Sequence, residues 1–373
     1  MKIAILIRRL NVRGGAQRQA LWLARCLIER GHAVTLYTFI YDKANCYEEL
    51  LYGMRVIEQY GERELASRIE NGTEVVNPHG EEVYRTAALY KKAHPHVRSI
   101  WMMNDMATRY PSYLRAREVD QSIMASRVKV FAYRLLDWRE RALFIAPQDD
   151  IVVLDERDRA WVMQYYRKEA EVVRSGICVT EFPFTLRALR RERPLKALAV
   201  GILFAHRRFE DLIVAVNILK SKGYDMTLSI VGGDADLRYK ERLVSLIASL
   251  HLENTVTLLG AVSGKELLGA YAGHDVFVFP SHLQSWGIAV FEAMASGMPV
   301  IVSRTAGASE VLTDGENALL VSPKSPSEIA AAIEQLFNKP ELTPTLSKAG
   351  RKFVEENISW GQYTERMLDI FRR

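Results

Sequence analysis

Residues 276–303 read VFVFPSHLQSWGIAVFEAMASGMPVIVS. The apolar run from Val276 to Phe279 predicts a buried strand, and the run from Val300 to Ser303 predicts the next one. Between them a polar loop reaches Gly287, where we expect a helix to begin with its first N–H groups facing back over the loop. Strand, helix and parallel strand form a right-handed crossover, so this stretch predicts a parallel sheet covered by helices.

The same alternation of strands and helices recurs in both halves of the chain. The predicted strands are Lys2–Ile7, Ala33–Phe39, Val97–Met103, Ile151–Leu154, Leu198–Gly201, Met226–Val231 and Thr255–Leu259, and the predicted helices include Ala16–Arg30 and Phe209–Lys220. We also expect Asp155 to cap the helix that follows it. Each half therefore predicts a doubly wound α/β domain of the Rossmann-like type.

Length and composition fit two soluble domains. The chain has 373 residues, of which 49% are hydrophobic and 25% are charged, and glycine and proline interrupt the pattern between residues 176 and 195. We place the domain boundary there, with an N-terminal domain over 1–180 and a C-terminal domain over 181–356. Cys26, Cys46 and Cys178 lack the spacing of metal ligands and indicate reduced thiols.

Charge and hydropathy limit the cellular compartments and the binding partners that the sequence predicts. The net charge of +5 is mild and no nucleic-acid-binding motif accompanies it, so we expect no nucleic-acid partner. No stretch approaches the roughly 18 apolar residues of a membrane span, and the apolar start is too short for a signal peptide. The sequence predicts a cytoplasmic protein, either soluble or resting on the inner face of the membrane.

Three loops at predicted strand ends are candidates for binding an anion. In the first, Gly14 and Gly15 allow close approach of a ligand to the backbone, and a helix N-terminus follows; a plain tight turn is the alternative. In the second, Arg207 and Arg208 are adjacent and suited to a diphosphate; a solvated basic loop is the alternative. In the third, Glu292 lies just over one turn into the helix that begins near Gly287.

Around that third loop the chain resembles the retaining glycosyltransferases of the GT-B fold, family four. Residues Gln284 to Pro299 resemble the nucleotide-sugar signature of that family, in which two glutamates are separated by seven residues and Ala-Met-Ala and Gly-x-Pro follow. Val231-Gly232, Gly14-Gly15-Ala16-Gln17-Arg18, Gly307 with Glu310, Asp314-Gly315, Val321-Ser322-Pro323 and Ile358-Ser359-Trp360 are similar to further family segments.

The resemblance implies two Rossmann-like domains that face each other across a cleft, with a C-terminal helix over 357–373 crossing back to the N-terminal domain. It implies a donor that is a UDP-, GDP- or ADP-sugar, with no further cofactor and no metal. Glu292 would hold the ribose, and the amides of Gly287, Ile288 and Ala289 would lie near the diphosphate. Gly232 belongs to the implied donor site, and Gly14 and Gly15 would close on it from the other domain.

Three positions depart from the family pattern. Gln284 replaces the first glutamate of the signature, which contacts the donor sugar, and it keeps hydrogen-bonding capacity without the charge. Ile202 stands where the family has an arginine, so Arg207, in the place of the family lysine, and Arg208 are left to hold the diphosphate. Asn104 replaces a family histidine, and Asn104 or Asp105 is expected to orient the acceptor or the donor sugar.

The predicted activity is sugar transfer with retention, by attack of the acceptor hydroxyl on the face that the nucleoside diphosphate leaves. Gln284, Asn104, Asp105 and Arg207 are the candidate catalytic residues. The acceptor is a glycan, a lipid-linked molecule or a small molecule. The alternatives are a non-catalytic protein that binds nucleotide sugars and another GT-B enzyme, such as an epimerase.

One long basic stretch adds a membrane hypothesis. Residues Val119 to Phe144 predict a single helix in which arginines and a lysine alternate with apolar side chains. Such a helix is suited to peripheral contact with an anionic membrane. An ordinary amphipathic surface helix is the alternative.

Overall fold

A computed structural model describes residues 1–188 and 193–373. They form two compact units, one built from residues 1–176 and 360–373 and the other from residues 177–359. The predicted boundaries, at 180/181 and 356/357, lie a few residues from these divisions.

The N-terminal unit is a seven-stranded parallel sheet in the order β3-β2-β1-β4-β5-β6-β7. Its strands are β1 (Lys2–Leu10), β2 (Ala33–Tyr41), β3 (Arg55–Glu58), β4 (Val75–His79), β5 (Arg98–Met102), β6 (Asp150–Val153) and β7 (Glu171–Val172). Its first helices are α1 (Gly15–Glu29), α2 (Glu48–Leu51), α3 (Glu62–Arg68), α4 (Val83–Ala93), α5 (Arg109–Val119), α6 (Arg127–Glu140) and α7 (Glu156–Trp161). The four predicted strands of this half and the predicted helix Ala16–Arg30 are present, with shifts of up to three residues at their ends.

The C-terminal unit is a six-stranded parallel sheet in the order β10-β9-β8-β11-β12-β13. Its strands are β8 (Leu195–Val200), β9 (Met226–Val231), β10 (Val256–Gly260), β11 (Val276–Phe279), β12 (Val300–Ser303) and β13 (Leu319–Val321). Its helices are α8 (Phe209–Ser221), α9 (Leu237–Ser249), α10 (Gly264–Gly273), α11 (Ile288–Ala295), α12 (Pro326–Asn338) and α13 (Leu342–Asn357). The stretch 276–303 thus forms β11, α11 and β12, and Val290, Phe291 and Met294 of α11 are buried.

The last helix, α14 (Trp360–Phe371), belongs to the N-terminal unit. Trp360 stacks on Trp22 of α1 with ring centroids 5.9 Å apart. The face of α14 that meets this unit also buries Tyr363, Met367 and Leu368. The helix therefore completes a layer of the N-terminal unit although it lies at the far end of the sequence.

The prediction of one helix over Val119–Phe144 is wrong. The structure has α5, a turn over 120–126, α6 and then a π-helical turn over Arg141–Ile145. The Asp120 carboxylate accepts hydrogen bonds from the N–H and hydroxyl of Ser122, and the Ser126 hydroxyl accepts from Lys129 N to cap α6. Short polar side chains of this kind stabilise turns and helix starts in preference to a helix interior.

Strand β4 was not predicted because its carboxyl half is polar. All five of its residues are buried, which places Asn77, Pro78 and His79 inside the sheet. The Asn77 amide donates to Ile100 O at 2.5 Å and its Oδ1 lies 2.7 Å from His79 Nε2. These internal partners engage the Asn77 side chain and one ring nitrogen of His79. Such partners cannot be recognised from a hydropathy pattern.

The structure also bears on the predictions for Asp155, for the cysteines and for membrane-spanning helices. Asp155 caps α7, since its Oδ1 accepts from Asp158 N at 2.7 Å. Cys26, Cys46 and Cys178 are free thiols. Among the helices formed by residues 1–188 and 193–373, none has the length and apolar character needed to cross a membrane.

Candidate functional site

The candidate site of the C-terminal unit lies where the strand order reverses. Strands β8 and β11 are neighbours at the middle of the sheet, and the later strands add outward from each of them. The helices that follow β8 and β11 therefore pack on opposite faces, which leaves a crevice beyond the carboxyl ends of these two strands. The loops that leave these ends are residues 201–208 and 280–287, and they contain the predicted site residues Arg207, Arg208, Gln284 and Gly287.

Backbone and side-chain bonds hold these two loops against each other. His282 N donates to His206 O at 2.7 Å. His206 Nε2 lies 3.2 Å from Gln284 Oε1, and His282 Nδ1 lies 3.0 Å from the Thr305 hydroxyl. Gln284, the residue that replaces the first glutamate of the signature, is thus positioned by a histidine from the neighbouring loop.

Gly287 determines how α11 begins. Its φ of +102° is a conformation that side chains with a Cβ rarely adopt, and an added Cβ would lie 2.8 Å from the Phe279 ring. Within the described chain no side chain caps this end of the helix, so the first amides, those of Ile288 and Ala289, are available to an anion. Two loop bonds, from Gly307 N to Gln284 O at 2.8 Å and from Ala308 N to Trp286 O at 2.9 Å, fix the approach to α11.

Glu292 is buried rather than on the surface. Its residue surface is 4% exposed, and Oε2 accepts a hydrogen bond of 2.7 Å from the Tyr271 hydroxyl of α10. A carboxylate costs several kcal/mol to bury without partners, so its position in the second turn of α11 is held by specific polar contacts. Glu292 is thus a buried, hydrogen-bonded side chain and not a solvated one.

Arg207 lies over the end of β8 with an unused hydrogen-bond donor. Its Nε is buried and has no hydrogen-bond partner among the residues that the structure describes. The guanidinium lies against Gly201 and 5.8 Å from the centroid of the Phe279 ring. Burial lowers the pKa of Arg207 to about 10, so the side chain stays cationic at neutral pH. A desolvated cation with a free N–H is suited to a phosphate oxygen.

Arg208 is placed differently from its neighbour. It adopts a left-handed backbone with φ of +54°, and its guanidinium pairs with Glu210 at 2.8 Å and Asp211 at 2.6 Å. These carboxylates lie in the first turn of α8. The charge of Arg208 is therefore balanced within its own helix start, and Arg207 is the better candidate for an anionic ligand.

Gly232 has a structural role at the end of β9. Its N–H donates to Gly260 O at 2.9 Å, so the amide is not available to a phosphate. A Cβ at this position would lie 1.9 Å from Gly201 O. The glycine lets the ends of β8 and β9 approach each other and so shapes the loop that carries Arg207. The place of Gly232 in the donor site stays a prediction.

In the N-terminal unit, Gly14 and Gly15 lie at the start of α1. Gly14 is the residue before the helix and no side chain caps this end in the part of the chain described. A Cβ on Gly15 would meet nothing within 4 Å, so open space adjoins the first turn. The arrangement suits an anion at a helix N-terminus, and the contact of both glycines with a donor stays a prediction.

Asn104 and Asp105 follow β5. They differ in the hydrogen-bond partners of their side chains. Asn104 Nδ2 is buried and has no hydrogen-bond partner within residues 1–188 and 193–373. Asp105 Oδ1 accepts from Met106 N at 2.7 Å and pairs with Arg115 at 2.7 Å. Of the two side chains, Asn104 therefore offers an N–H donor, Nδ2, that could bind a substrate hydroxyl oxygen. Its catalytic role stays a prediction.

Sequence reasoning missed several polar residues of these regions. They are Tyr271, Ser281 and His282 in the C-terminal unit and His79 in the N-terminal unit. Ser281 is fully buried and its hydroxyl has no partner in the described parts of the chain. Burial lowers the pKa of His79 to about 3, so its ring is neutral at pH 7. A polar residue directly after an apolar strand was the signal available for Ser281 and His282.

Within the described residues, no group of three or more histidine, cysteine, aspartate or glutamate side chains is placed to hold a metal ion.

The C-terminal unit is similar to a known protein family. Residues 186–353 match the family model for glycosyl transferases group 1. The matched segment includes β8 to β13 and therefore both loops of the candidate site. This finding confirms the resemblance to glycosyltransferases on the segment that carries the signature.

Curated relatives are consistent with that family. The chain is 27% identical to a D-inositol 3-phosphate glycosyltransferase of Saccharomonospora viridis over 61% of this chain and 56% of the relative. It is 24% identical to a mannosylfructose-phosphate synthase of Agrobacterium fabrum over 96% of this chain and 86% of the relative. The chain spans 56% and 44% of the first two relatives that it matches, so it represents about half of their length.

Solved structures share the fold over the whole chain. Anabaena Alr3699/HepE in complex with UDP and glucose gives a TM-score of 0.80 at 14% identity and covers 100% of both chains. A glycosyltransferase from Rickettsia africae gives a TM-score of 0.77 at 16% identity and covers 100% of this chain and 98% of its own. These likenesses confirm the predicted fold class, α/β with two Rossmann-like units of the GT-B type.

Proposed function

We propose that this chain, whose residues 186–353 match the glycosyl transferases group 1 family, transfers a sugar from a nucleotide-diphosphate sugar to a glycan, lipid-linked or small-molecule acceptor. The observation that carries the proposal is the group at the reversal of strand order in the C-terminal unit: buried Glu292, the uncapped start of α11 and desolvated Arg207. Nucleotides bind at such reversals in open parallel sheets.

The members of that group would bind different parts of the donor. The Glu292 carboxylate accepts hydrogen bonds from the ribose hydroxyls, and Tyr271 holds it in place. The amides of Ile288 and Ala289 and the guanidinium of Arg207 bind the diphosphate. These donors stabilise the negative charge that grows on the diphosphate as the bond to the sugar breaks. The donor is a UDP-, GDP- or ADP-sugar, and the complex of Alr3699/HepE with UDP supports a nucleoside diphosphate.

We propose further that the reaction retains the anomeric configuration and uses no metal. The helix start and Arg207 supply the positive potential that a metal ion would otherwise provide. The acceptor hydroxyl attacks from the side that the diphosphate leaves, and a diphosphate oxygen accepts its proton. NMR analysis of the product from a donor of known anomeric configuration tests this: an inverted centre contradicts it, as does activity abolished by a chelator and restored by a metal ion.

The central experiment is the substitution Glu292→Ala. We expect isothermal titration calorimetry to show a loss of donor affinity of about tenfold or more, because hydrogen bonds to a charged group contribute about 1.5–3 kcal/mol. Glu253→Ala removes an exposed carboxylate of the same unit and serves as the matched control. Equal donor affinity in wild type and Glu292→Ala, with both folded by circular dichroism, would refute the proposed site.

The non-catalytic alternative is tested by turnover. The curated relatives described above are a glycosyltransferase and a synthase, which favours an enzyme. Release of nucleoside diphosphate from a bound donor, by transfer or by hydrolysis, supports the proposal. Tight donor binding without release in the presence of candidate acceptors would favour a binding protein, and interconversion of nucleotide sugars would favour an epimerase.

We also propose that α6 makes a peripheral contact with anionic membrane. Val128, Phe131, Leu135 and Trp138 recur along one stripe of the helix and are between 56% and 79% exposed. Arg127 and Arg134 flank this stripe at a spacing of seven residues. Exposed apolar side chains bordered by cations suit the interface of an anionic bilayer, where a lipid-linked acceptor would be met.

A further inference from the structure

A cavity in the N-terminal unit gathers cations that the proposed activity does not use. The start of α5, the second half of α6 and the π-helical turn over Val162–Tyr166 surround a volume of about 350 Å³. This volume lies at the lower end of the range of small-molecule sites, about 300–1,000 Å³. The cavity therefore suits a small ligand.

Three arginines line the cavity. Arg134, Arg141 and Arg167 make no ion pair and no side-chain hydrogen bond with any residue of the described chain. Elsewhere in the unit Arg85 pairs with Glu62 and Glu140, at 3.1 and 2.6 Å. The unpaired guanidinium groups thus concentrate positive charge at one place.

The carboxylate in the lining does not neutralise these cations by pairing. Asp137 Oδ1 accepts from Arg109 N at 2.9 Å and Oδ2 accepts from Tyr110 N at 2.7 Å. Both oxygens are therefore engaged with the first amides of α5. The arginines keep their donors for an external anion, and the geometry of a guanidinium fits phosphate oxygens in pairs.

The backbone at Arg167 adds a second observation. Its φ of +56° lies in the left-handed region, which costs a residue with a Cβ roughly 1 kcal/mol relative to glycine. Glycine or asparagine would end the preceding turn at lower cost. The chain nevertheless has an arginine there, with its guanidinium at the cavity, as expected of a binding residue that tolerates local strain.

Aromatic rings form the rest of the lining. Tyr110 and Tyr165 meet edge to face with centroids 6.2 Å apart, and the Arg134 guanidinium lies 5.7 Å from the Tyr110 centroid. Trp138 also lines the cavity. Ring faces carry negative partial charge, so they attract the weakly positive C–H groups of a sugar or polyol ring.

We propose that this cavity binds a phosphate ester carried on a small polyhydroxylated ring, with the phosphate on Arg134, Arg141 and Arg167 and the ring against the aromatic side chains. The ligand is either a free sugar phosphate or the headgroup of a phosphoinositide or similar lipid. Trp138 belongs both to the cavity and to the exposed apolar stripe of α6, which connects the site with the membrane contact. The inference does not depend on the sugar transfer proposed above.

The experiment uses the full chain and two probes. Calorimetry with glucose 1-phosphate measures the free ligand, and co-sedimentation with phosphatidylcholine vesicles, with and without phosphatidylinositol, measures the lipid-borne one. We expect Arg141→Gln and Arg167→Gln to weaken binding of at least one probe about tenfold or more. Arg139→Gln is the matched control, because this arginine is on α6 and outside the cavity lining. Its loss should stay below about threefold.

A further variant tests the cavity independently, in case the arginine substitutions prevent folding. Gln164→Glu adds a negative charge at the exposed rim of the cavity, and we expect it to weaken the same probe by repulsion. Binding of neither probe by the wild type, or equal losses in Arg139→Gln and Arg141→Gln, overturns the inference. Affinity for the nucleoside diphosphate that the wild type binds should be unchanged in every variant, so the two proposals fail on different measurements.

Discussion

At the scale of single residues, Gly287 is a position of the candidate site where only glycine fits. Its backbone conformation and the ring of Phe279 both exclude a Cβ. The conformation directs the first amides of α11 out of the helix, and these are the groups assigned to the diphosphate. One residue thus links local backbone geometry to the proposed diphosphate site.

We expect Gly287→Ala to destabilise the chain by about 2 kcal/mol or more and to weaken donor binding, because both strain and overlap oppose the new methyl group. Gly269→Ala is the control. Gly269 lies in α10 and a Cβ there would meet nothing within 4 Å, so alanine should be neutral or stabilise by about 0.5–1 kcal/mol. Urea unfolding measures both changes, and equal stability of the two variants would contradict the account.

A second residue-scale prediction concerns His79 and pH. Burial lowers the folded-state pKa to about 3, whereas the unfolded chain has a value of about 6.5. Between these two values the unfolded state binds more protons, so stability is full above about pH 6.5 and falls as the pH is lowered. From pH 7 to pH 5 this residue alone should cost about 2 kcal/mol.

Urea unfolding at several pH values checks this expectation. In His79→Gln the part of the pH dependence that comes from the imidazole is removed, so the decline in stability below pH 6.5 should be shallower, whatever the stability of the variant at pH 7. An unchanged slope would show that the His79 ring takes up a proton in the folded chain.

At the scale of elements, α6 differs from the other helices by how little of it is buried. Glu140 is its buried residue, while its apolar stripe is exposed. A helix that does not bury its apolar side chains inside the unit leaves an apolar surface for another partner.

We expect Phe131→Gln to weaken sedimentation with anionic vesicles about tenfold or more, since burying a phenylalanine contributes about 1.5–3 kcal/mol. Tyr52→Gln removes another exposed aromatic side chain, 80% exposed and outside α6, and should leave vesicle binding unchanged. Thermal unfolding should be equal for both variants. Binding that depends neither on Phe131 nor on anionic lipid would exclude the membrane contact.

At the scale of the whole molecule, each unit has a core of its own. The C-terminal unit gathers its core from β8 to β13 with α8, α9 and α12, and it is continuous in sequence from 177 to 359. The N-terminal unit instead recruits α14 from the end of the chain. Its stability therefore depends on the last residues of the sequence.

We expect Trp360→Ala to destabilise the N-terminal unit by about 3–5 kcal/mol, because it removes a buried ring and its stack on Trp22. Hydrogen exchange should show the loss in β1 and α1 and leave β8 and β11 protected. Trp138→Ala, which removes an exposed tryptophan of the same unit, is the control and should change stability by less than about 0.5 kcal/mol. Uniform loss of protection in both units would contradict the division.

The elements that the sequence predicts best are those with a continuous apolar pattern. β11 and β12 begin and end where predicted, and α1 and α8 differ by a residue or so, because strands buried on both faces leave a strong signal. The long helix over 119–144 was wrong because helical propensity of a basic stretch does not reveal the turn that Asp120 and Ser126 stabilise. β4 was missed because its polar residues find partners that lie in other elements.

The sequence alone determined the two α/β units, the resemblance to glycosyltransferases and the candidate residues at strand ends, since all of these depend on local patterns of apolar residues and glycine. Only the tertiary structure decided which candidates are available. It engages the Gly232 amide and the Arg208 charge within the protein and gathers Arg134, Arg141 and Arg167 around one cavity. Among residues 1–188 and 193–373 it leaves Arg207 Nε and Asn104 Nδ2 without a hydrogen-bond partner. Partners distant in sequence set burial and hydrogen bonding, and therefore decide which polar groups remain for a ligand.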